Sequence, residues 1–347
     1  MPGAGTKPDI TTADPAQALR LRWRRKRLLW RAFRKRREVT RLHDRTARIM
    51  PDDILLFSTI RNEAARLPYF LRHYRALGVA HFLFVDNDSS DETVSILAQQ
   101  PDVSLWRTGA SYRASRFGVD WLTWLQRRYG HGHWCLTADA DELLMLPHHG
   151  ARDLRDLTAW LDARGAEVFA AVMVDLYPKG RLSQTQITPG QPPQEALRWF
   201  DGWGHTWEQQ AKYGNISVRG GVRKRLYFSG KPDFAPHLHK TPLIKWHRSY
   251  AYISSTHIAL PRRLNRGLDA RLGLPTGVLL HSKFLPEVVT KSTEEKTRAE
   301  HFTHAARYDA YYDHLAADPV LWGPDSCELR DWQQFEDLGL MTRGDWR

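Results

Sequence analysis

The apolar positions from residue 52 onward alternate between two patterns. Short, nearly continuous apolar runs, of which residues 54–60 are the first, are typical of strands buried on both faces of a parallel sheet. The segments between them repeat apolar residues at spacings of three and four, as amphipathic helices do. Strands are predicted in this way at 54–60, 81–87, 103–108, 133–138 and 168–177. Strands alternating with helices predict βαβ units, and therefore an α/β fold with a doubly wound, mostly parallel sheet.

This regularity ends after residue 177. Residues 178–250 contain stretches rich in Pro, Gly and Gln, so fewer elements can be predicted there. Strands are expected at 225–228, 243–246 and 278–284, and a helix at 287–316. We therefore expect a mixed second half followed by C-terminal helices. The predicted units are an N-terminal arm at 1–50, a body at 51–285 with halves 51–177 and 178–285, and a C-terminal helical segment at 286–347.

The N-terminal arm carries almost all of the chain's excess charge. The whole sequence has 51 Lys and Arg against 39 Asp and Glu, a net charge of +12. Residues 1–50 alone contain 15 basic and 4 acidic residues, a net charge of +11, which leaves +1 for the rest of the chain. Because the body has no basic stripe, we do not expect nucleic acid as its partner.

The arm combines two kinds of sequence. Residues 1–18 are small and polar and predict a flexible lead-in, whereas residues 19–48 predict an imperfect amphipathic helix that is basic and bears tryptophan. Helices of this composition lie on anionic lipid headgroups, so an anionic membrane surface is a predicted partner. The alternative is a basic arm that is solvated or that packs on its own body.

Composition excludes several classes of protein. With 42% hydrophobic residues the chain can bury a large core, unlike disordered or fibrous proteins. Its two cysteines, Cys135 and Cys327, cannot form a disulfide framework or a cysteine-rich zinc site, which favours a reducing compartment. No apolar run approaches the roughly 20 residues that span a bilayer, and residues 1–30 lack the apolar stretch of a signal peptide. We therefore expect a cytoplasmic protein, held by its arm at the inner face of the membrane.

Three acidic side chains, Asp139, Asp141 and Glu142, follow the predicted strand at 133–138. Ligands of open α/β sheets bind at the carboxyl ends of the strands, so these carboxylates are expected at the rim of a site. Acids this close repel one another unless a cation lies among them, and carboxylate oxygens suit Mg²⁺ or Mn²⁺. The alternative is a solvated acidic turn.

Polar clusters also end the first two strands. The first strand, at 54–60, contains Thr59 near its end and is followed by Asn62 and Glu63. The second strand ends at Asp86, within the motif V-D-N-D-S-S-D-E-T. An acid at this position can accept hydrogen bonds from a ribose hydroxyl or a base N–H. For residues 89–91 we favour a helix cap.

A later apolar strand, at 278–284, carries His281 and Lys283 on one face. Because side chains two residues apart point the same way on a strand, this pair is arranged to meet an anionic ligand. The alternative is a structural histidine, which is the more common role in a chain with 16 of them.

These motifs together resemble the nucleotide-sugar domain of family 2 glycosyltransferases, which have the GT-A fold. The similarity is closest to a bacterial branch with R-N-E after the first strand, here at 61–63, and R-A-L-G-V before the second, here at 75–79. D-A-D-E at 139–142 matches the metal motif of that domain. The resemblance covers residues 54–177 well and continues more weakly to about residue 285.

The resemblance implies a role for each matching residue. Asp141 would bind Mn²⁺ or Mg²⁺ directly, Asp139 would contact the ribose or the ion's water shell, and His281 would be the third metal ligand. Arg116 would face the diphosphate or the base, although a surface ion pair at a helix start is nearly as good an interpretation. The implied nucleotide-sugar pocket contains Thr59, Asn62, Glu63, Asp86, Arg116, Asp139 and Lys283.

An inverting transfer also needs a general base near the acceptor hydroxyl. Asp201, Glu208 and Asp233 are the candidates in the second half. The late acidic pair common in the family is absent between residues 178 and 285, which leaves the base and the stereochemistry open.

The expected function is metal-dependent transfer of a sugar from a nucleotide diphosphate donor to a glycan or lipid-linked acceptor, as in the synthesis of bacterial surface polysaccharides. The alternative among enzymes is a metal-dependent nucleotidyltransferase or nuclease. A third interpretation is a catalytically inactive binding module whose basic arm binds nucleic acid or membrane.

Overall fold

The computed structural model describes residues 14–288 and 309–347. Within these residues the helices are α1 (Pro15–Lys35), α2 (Leu67–Ala76), α3 (Thr93–Ala98), α4 (Val119–Tyr129), α5 (Leu154–Ala163), α6 (Pro193–Ala196), α7 (Gly221–Tyr227), α8 (Asp309–Ala316) and α9 (Trp332–Asp337). The strands of the central sheet are β1 (Thr40–His43), β2 (Ile54–Ile60), β3 (Val79–Asp86), β4 (Val103–Arg107), β5 (Trp134–Thr137), β6 (Glu142–Met145), β7 (Val168–Asp175), β11 (His239–Lys245) and β14 (Thr276–His281). Shorter strands form three two-stranded sheets, from β8 (Trp199–Asp201), β9 (Thr206–Gln210), β10 (Asn215–Arg219), β12 (Ala251–Ser254), β13 (Ile258–Leu260) and β15 (Ser326–Glu328).

The central sheet has the order β1-β4-β3-β2-β5-β11-β7-β14-β6 in the described residues. Six strands, β2, β3, β4, β5, β7 and β14, run in one direction. The two edge strands β1 and β6 run the other way, as does β11, which lies between β5 and β7. The α/β class and the mostly parallel sheet are therefore confirmed, and the architecture is consistent with a GT-A-type fold.

Alternation along β2 places a core on each face of the sheet. Leu56 packs with Phe70 of α2 and Leu157 of α5 on one face. Phe57 packs with Leu125 of α4 on the other face. Since successive strand side chains point to opposite faces, a strand covered by helices on both sides must be apolar throughout. This is why the central strands could be recognised in the sequence as continuous apolar runs.

The predicted strand at 225–228 is wrong, because the chain forms helix α7 there. Val222 and Leu226, four residues apart, pack in one cluster with Tyr177 and Phe284. A helical turn is the conformation that brings residues four apart onto one face.

Two further expectations concern the ends of the chain. The predicted flexible lead-in overlaps α1, which begins at Pro15 with the Asp14 side chain accepting from the backbone N–H of Ala16; residues 1–13 lie outside the described part. Of the helix predicted at 287–316, residues 289–308 also lie outside it, and α8 forms its described end.

Helix α1 packs on the body along one face. Leu21 and Leu28 are buried in a cluster with Ala251 and Leu260 of β12 and β13. Ala32 is fully buried, and the helix contacts α4 as well as β12. In the described residues, no helix has both the length and the apolar character needed to cross a membrane.

Candidate functional site

Three segments distant in sequence meet at the carboxyl edge of the sheet, around His281 at the end of β14. The His281 Nε2 atom lies 3.1 Å from Oδ2 of Asp141, in the turn between β5 and β6. Its Nδ1 atom lies 2.6 Å from Oδ1 of Asp175, the last residue of β7. The turn is fixed to β14 because the Ser282 backbone N–H donates to the Asp141 carbonyl oxygen at 2.7 Å. Asp141 and His281, two of the predicted metal ligands, are thus in direct contact.

The contact continues inward through buried side chains. The other oxygen of Asp175 accepts from Arg223 Nε of α7 at 2.7 Å, and both side chains are buried. Although burial lowers the pKa of His281, the carboxylates of Asp141 and Asp175 raise it to about 9. The result is a line of alternating charges, Asp141, His281, Asp175 and Arg223, that holds the imidazole in one orientation.

The Asp141 carboxyl lies in a strongly positive environment. Burial raises its pKa, but His281, Arg66 and Lys283 outweigh that effect and hold the pKa well below its ordinary value. The side chain remains 27% exposed, so an ion or a ligand can reach it from solvent. A carboxylate that is ionised, accessible and surrounded by cations suits a complex of a metal ion and a polyphosphate.

The other acids of the D-A-D-E motif have different surroundings. Glu142 is buried, and its Oε1 lies 2.5 Å from Nζ of Lys240, which is buried in β11. Asp139 is half exposed, with its Oδ2 3.5 Å from the same ammonium group. Of the three acids, Asp139 and Asp141 are therefore accessible, and Glu142 is part of the interior.

The R-N-E loop is held by the polar motif that follows β3. The backbone N–H of Asn62 donates to Ser89 Oγ at 2.9 Å, and that of Glu63 donates to Thr93 Oγ1 at 2.8 Å. The Asp91 carboxylate accepts from the N–H of Ala64 at 3.1 Å and also from that of Thr93 at 3.0 Å. Asp91 thus helps to cap the start of α3, but the motif also joins the first two strand ends to each other.

Asp86 and Thr59 lie at the carboxyl edge of the sheet, near the ends of β3 and β2. Asp86 is fully buried and accepts from the backbone N–H of Ser89 at 3.2 Å, with Arg107 Nε 3.6 Å away. The Thr59 side chain packs against Gly118, where an added Cβ would come within 2.5 Å of Thr59 Oγ1. Gly118 has a φ of 76°, so both conformation and space require glycine there.

Arg116 is held by contacts within the protein. Its guanidinium donates to Asp120 Oδ1 at 2.6 and 2.8 Å and to the carbonyl oxygens of Tyr252 and Ile253 at 2.9 and 3.0 Å. These contacts match the ion pair at a helix start that was the alternative interpretation of this residue.

The three candidate bases lie apart from one another. Asp201 accepts from Tyr177 Oη and pairs with Arg225 at 2.7 Å, so its carboxylate is used within the fold. Glu208 is largely exposed on β9, 3.8 Å from Arg219, and Asp233 lies in an exposed turn. Within residues 14–288 and 309–347, no hydrogen bond or ion pair joins any of them to Asp141 or His281.

The described residues contain no group of three or more His, Cys, Asp or Glu side chains arranged to hold a metal ion. The pair Asp141 and His281 nevertheless fits two adjacent positions of an octahedral site. Their 3.1 Å separation is close to the spacing of about 3 Å expected for neighbouring ligands each bound at about 2.1 Å. The Nδ1–H group of His281 donates to Asp175, which is the usual arrangement behind a metal-binding histidine. Metal binding would replace the proton on Nε2.

Several residues of the site were not predicted, namely Asp175, Arg66, Lys240 and Arg223. Asp175 closes an apolar strand as Asp86 does, so the same argument applies to it. Lys240 had a weaker signal, a cation near the start of a strand that is mostly apolar or neutral and ends in a second lysine, Lys245. Nothing in the pattern near Arg66 or Arg223 indicated that these cations face the acids.

Comparisons with known proteins do not identify a family. No family model and no curated protein matches the chain. One similar solved structure is a Bacillus anthracis protein assigned as a glucose-1-phosphate thymidylyltransferase and crystallised with sucrose. Its TM-score is 0.25 at 9% identity, over 75% of this chain and 83% of that one. A likeness this low carries no argument about function.

Proposed function

We propose that this protein is a metal-dependent glycosyltransferase that uses a nucleotide diphosphate sugar. The observation that carries the proposal is the contact between Asp141 and His281 at the carboxyl edge of the sheet, with the imidazole oriented by the buried Asp175. One accessible carboxylate and one oriented imidazole suit Mn²⁺ or Mg²⁺, which complete their coordination with substrate phosphates and water.

The residues around this pair have distinct roles in the proposal. Asp141 and His281 hold the ion, and Asp139 contacts its water shell or the ribose. An ion held there would supply positive charge to the diphosphate as the sugar leaves. Arg66 and Lys283, whose charges already act on Asp141, attract the same phosphates.

The nucleoside belongs beside the ion, between the first two strand ends. Asp86 is anchored there, and the Asn62–Glu63 backbone is fixed by Ser89 and Thr93. A loop with its backbone groups already ordered binds a ligand with a smaller entropic cost. The sugar acceptor, a glycan or a lipid-linked glycan, would approach from the second half of the body.

Ligand-dependent stability provides the first test. Nucleoside diphosphates should raise the unfolding temperature in the presence of Mn²⁺, because a ligand at about 100 times its Kd adds about 2.7 kcal/mol of stability. Asp141→Asn should remove the Mn²⁺-dependent part of this shift. The matched control is Asp162→Asn, the same change at a surface carboxylate paired with Lys245, which should leave the shift intact. An unchanged shift in Asp141→Asn would contradict the metal assignment.

The reaction products separate this function from nucleotidyl transfer. A glycosyltransferase releases a nucleoside diphosphate from a nucleotide sugar, whereas a nucleotidyltransferase joins a nucleoside triphosphate to a sugar phosphate and releases pyrophosphate. We expect Mn²⁺-dependent nucleoside diphosphate release when a panel of nucleotide sugars is supplied, even by slow hydrolysis without acceptor. Pyrophosphate release from nucleoside triphosphates instead would overturn the assignment.

A further inference from the structure

Helix α1 presents two opposite faces, of which one is buried against the body and the other touches it at its C-terminal end, where Phe33 meets Trp124 of α4. Leu21, Leu28 and Ala32 are buried against the body. At about 100° per residue, these three positions lie within about 40° of one another around the helix axis. They attach α1 to the rest of the chain, so its outward surface is held in a fixed direction.

The outward surface bears large apolar side chains. Leu19, Trp23, Trp30 and Phe33 are 55%, 63%, 60% and 38% exposed. Around the helix axis they lie within about 40° of a direction almost opposite to the buried face. Placing two tryptophans and a leucine in water on a helix that already has an apolar inner face has no structural benefit, and such an exposed stripe indicates an interaction surface.

Cations border this apolar stripe, and one, Lys26, lies within it with its ammonium group 5.0 Å from the centre of the Trp23 ring. Arg22, Lys26, Arg27 and Arg34 are exposed on α1, and the helix has no acidic residue. Residues 1–50, which contain α1, carry a net charge of +11 whereas the remaining chain carries +1, so α1 belongs to the most positive part of the chain. The partner that the surface fits is therefore broad, negatively charged and able to accept tryptophan rings.

We propose that the outward face of α1 binds an anionic lipid bilayer surface, with the helix lying in the plane of the headgroups. At about 1.5 Å per residue the helix is about 30 Å long, and it would bring its whole apolar stripe into the interface at once. The basic residues beside the stripe then contact lipid phosphates. A nucleic acid fits less well, because this face is mainly aromatic and aliphatic, with Lys26 as the one cation of α1 inside the stripe.

This surface is connected to the candidate site. Arg31 of α1 pairs at 2.5 Å with the buried Asp120, in the first turn of α4, and Asp120 also binds Arg116. The loop from Arg116 leads to Gly118, which packs against Thr59 at the end of β2. A chain bound to lipid through α1 would thus hold this edge of the sheet near the bilayer, where lipid-linked molecules are found.

Vesicle flotation of the full chain tests the proposal. We expect binding to vesicles of phosphatidylglycerol and phosphatidylcholine that weakens with added salt, and much weaker binding to phosphatidylcholine alone. The double variant Trp23→Ala/Trp30→Ala should bind roughly tenfold or more weakly, since affinity follows the apolar area that enters the interface. The matched control is Trp203→Ala/Trp207→Ala, which removes two other exposed tryptophans (64% and 44%) from the body and should bind as the parent does.

Three results of these experiments would overturn the proposal, two of them by assigning the surface to a different partner. Equal flotation of the parent and the Trp23→Ala/Trp30→Ala variant would overturn the proposal. So would an absence of vesicle binding combined with tight, salt-sensitive binding to a mixed-sequence DNA or RNA. Self-association that the same variant abolishes, without vesicle binding, would assign the face to a second copy of the chain and would also overturn it. A circular dichroism melt of each variant confirms that it remains folded.

Discussion

Two neighbouring carboxylates, Asp141 and Glu142, differ in their exposure to solvent and in their partners. Glu142 is buried and forms a 2.5 Å ion pair with the buried Lys240. Asp141 is 27% exposed and meets His281 at 3.1 Å. Both pairs join the D-A-D-E motif to a strand from the second half of the chain, but only the second can be reached by a ligand.

The two pairs are expected to have different roles, one in stability and the other in ligand binding. An ion pair in the interior keeps its charges neutralised, and removing one partner leaves an isolated buried charge, which is strongly destabilising. In the second pair the Asp141 carboxylate is accessible, so this group can exchange its partner for a ligand from solvent. The fold therefore depends on Glu142 and Lys240, and the proposed chemistry depends on Asp141 and His281.

The largest expected effect follows from breaking the buried pair. Lys240→Met should lower the free energy of unfolding by about 3–5 kcal/mol, because the Glu142 carboxylate stays buried without its partner. The control is Lys245→Met on the same strand, whose 41% exposed side chain pairs with Asp162 at the surface and should contribute only about 0–1 kcal/mol. Urea denaturation measures both. Equal losses for the two variants would show that burial does not distinguish these pairs.

A smaller effect is expected from the residue behind the accessible pair. Asp175→Asn should weaken Mn²⁺ binding in the presence of a nucleoside diphosphate by about 10- to 100-fold, because His281 loses the carboxylate that orients it. Titration calorimetry on the folded fraction measures this affinity. If Asp175 acts through His281, adding His281→Gln to Asp175→Asn should cause little further loss, whereas independent roles would give additive losses.

Like Glu142, His73 is a titratable group in the interior. Its Nε2 atom lies 3.0 Å from the Leu144 carbonyl oxygen in β6. Burial, helped by the nearby His149, lowers the pKa of His73 to about 4, and Tyr69 and Tyr74 are its other ring neighbours. As the pH falls, His73 is protonated in the unfolded chain at about pH 6.5, before it is protonated in the folded chain. Protonation of His73 therefore lowers the free energy of unfolding below about pH 6.5. Between pH 7 and 5 the loss should be about 2 kcal/mol.

Replacement of His73 isolates this contribution. His73→Gln retains a donor for the Leu144 carbonyl but does not titrate, so its stability should decline less steeply on acidification than that of the parent. Urea unfolding of both proteins at pH 7 and pH 5 gives the two slopes. Identical slopes would contradict the prediction.

The smallest effect is expected at Asp139, which is half exposed and 3.5 Å from Lys240. Asp139→Asn should change the free energy of unfolding by about 0–1 kcal/mol, as for other exposed pairs. We also expect it to weaken Mn²⁺-dependent nucleotide binding by less than Asp141→Asn does, because a group that acts through the water shell contributes less than a direct ligand. A loss as large as that of Asp141→Asn would make Asp139 the principal ligand.

The sequence predicts the central strands because each is apolar over its whole length. The predicted strand 54–60 coincides with β2, and those at 103–108 and 168–177 differ from β4 and β7 only at their ends. The second half was harder to predict. The β11 strand begins four residues before the predicted strand at 243–246. The prediction missed this first part because it contains Lys240 and a proline, which are unusual in a buried strand.

The candidate site shows a similar division. Asp139 and Asp141 follow a recognisable strand, and their position could be predicted from this strand alone. The contact of His281 with Asp175 depends on β14 lying beside β7, although 106 residues separate the two side chains in sequence. Pairing of this kind is set by the whole sheet, and a local pattern does not reveal it. The same is true of Arg223, which reaches Asp175 from a helix that the sequence suggested was a strand.

The most direct measurement is a Mn²⁺ titration followed by electron paramagnetic resonance, with a nucleoside diphosphate present. The parent protein should bind Mn²⁺ in a nucleotide-dependent way and reduce the signal of the free ion. Asp141→Asn should leave that signal at its protein-free level while still unfolding in a single cooperative transition, which a circular dichroism melt checks. Mn²⁺ binding of equal affinity in Asp141→Asn would contradict the account.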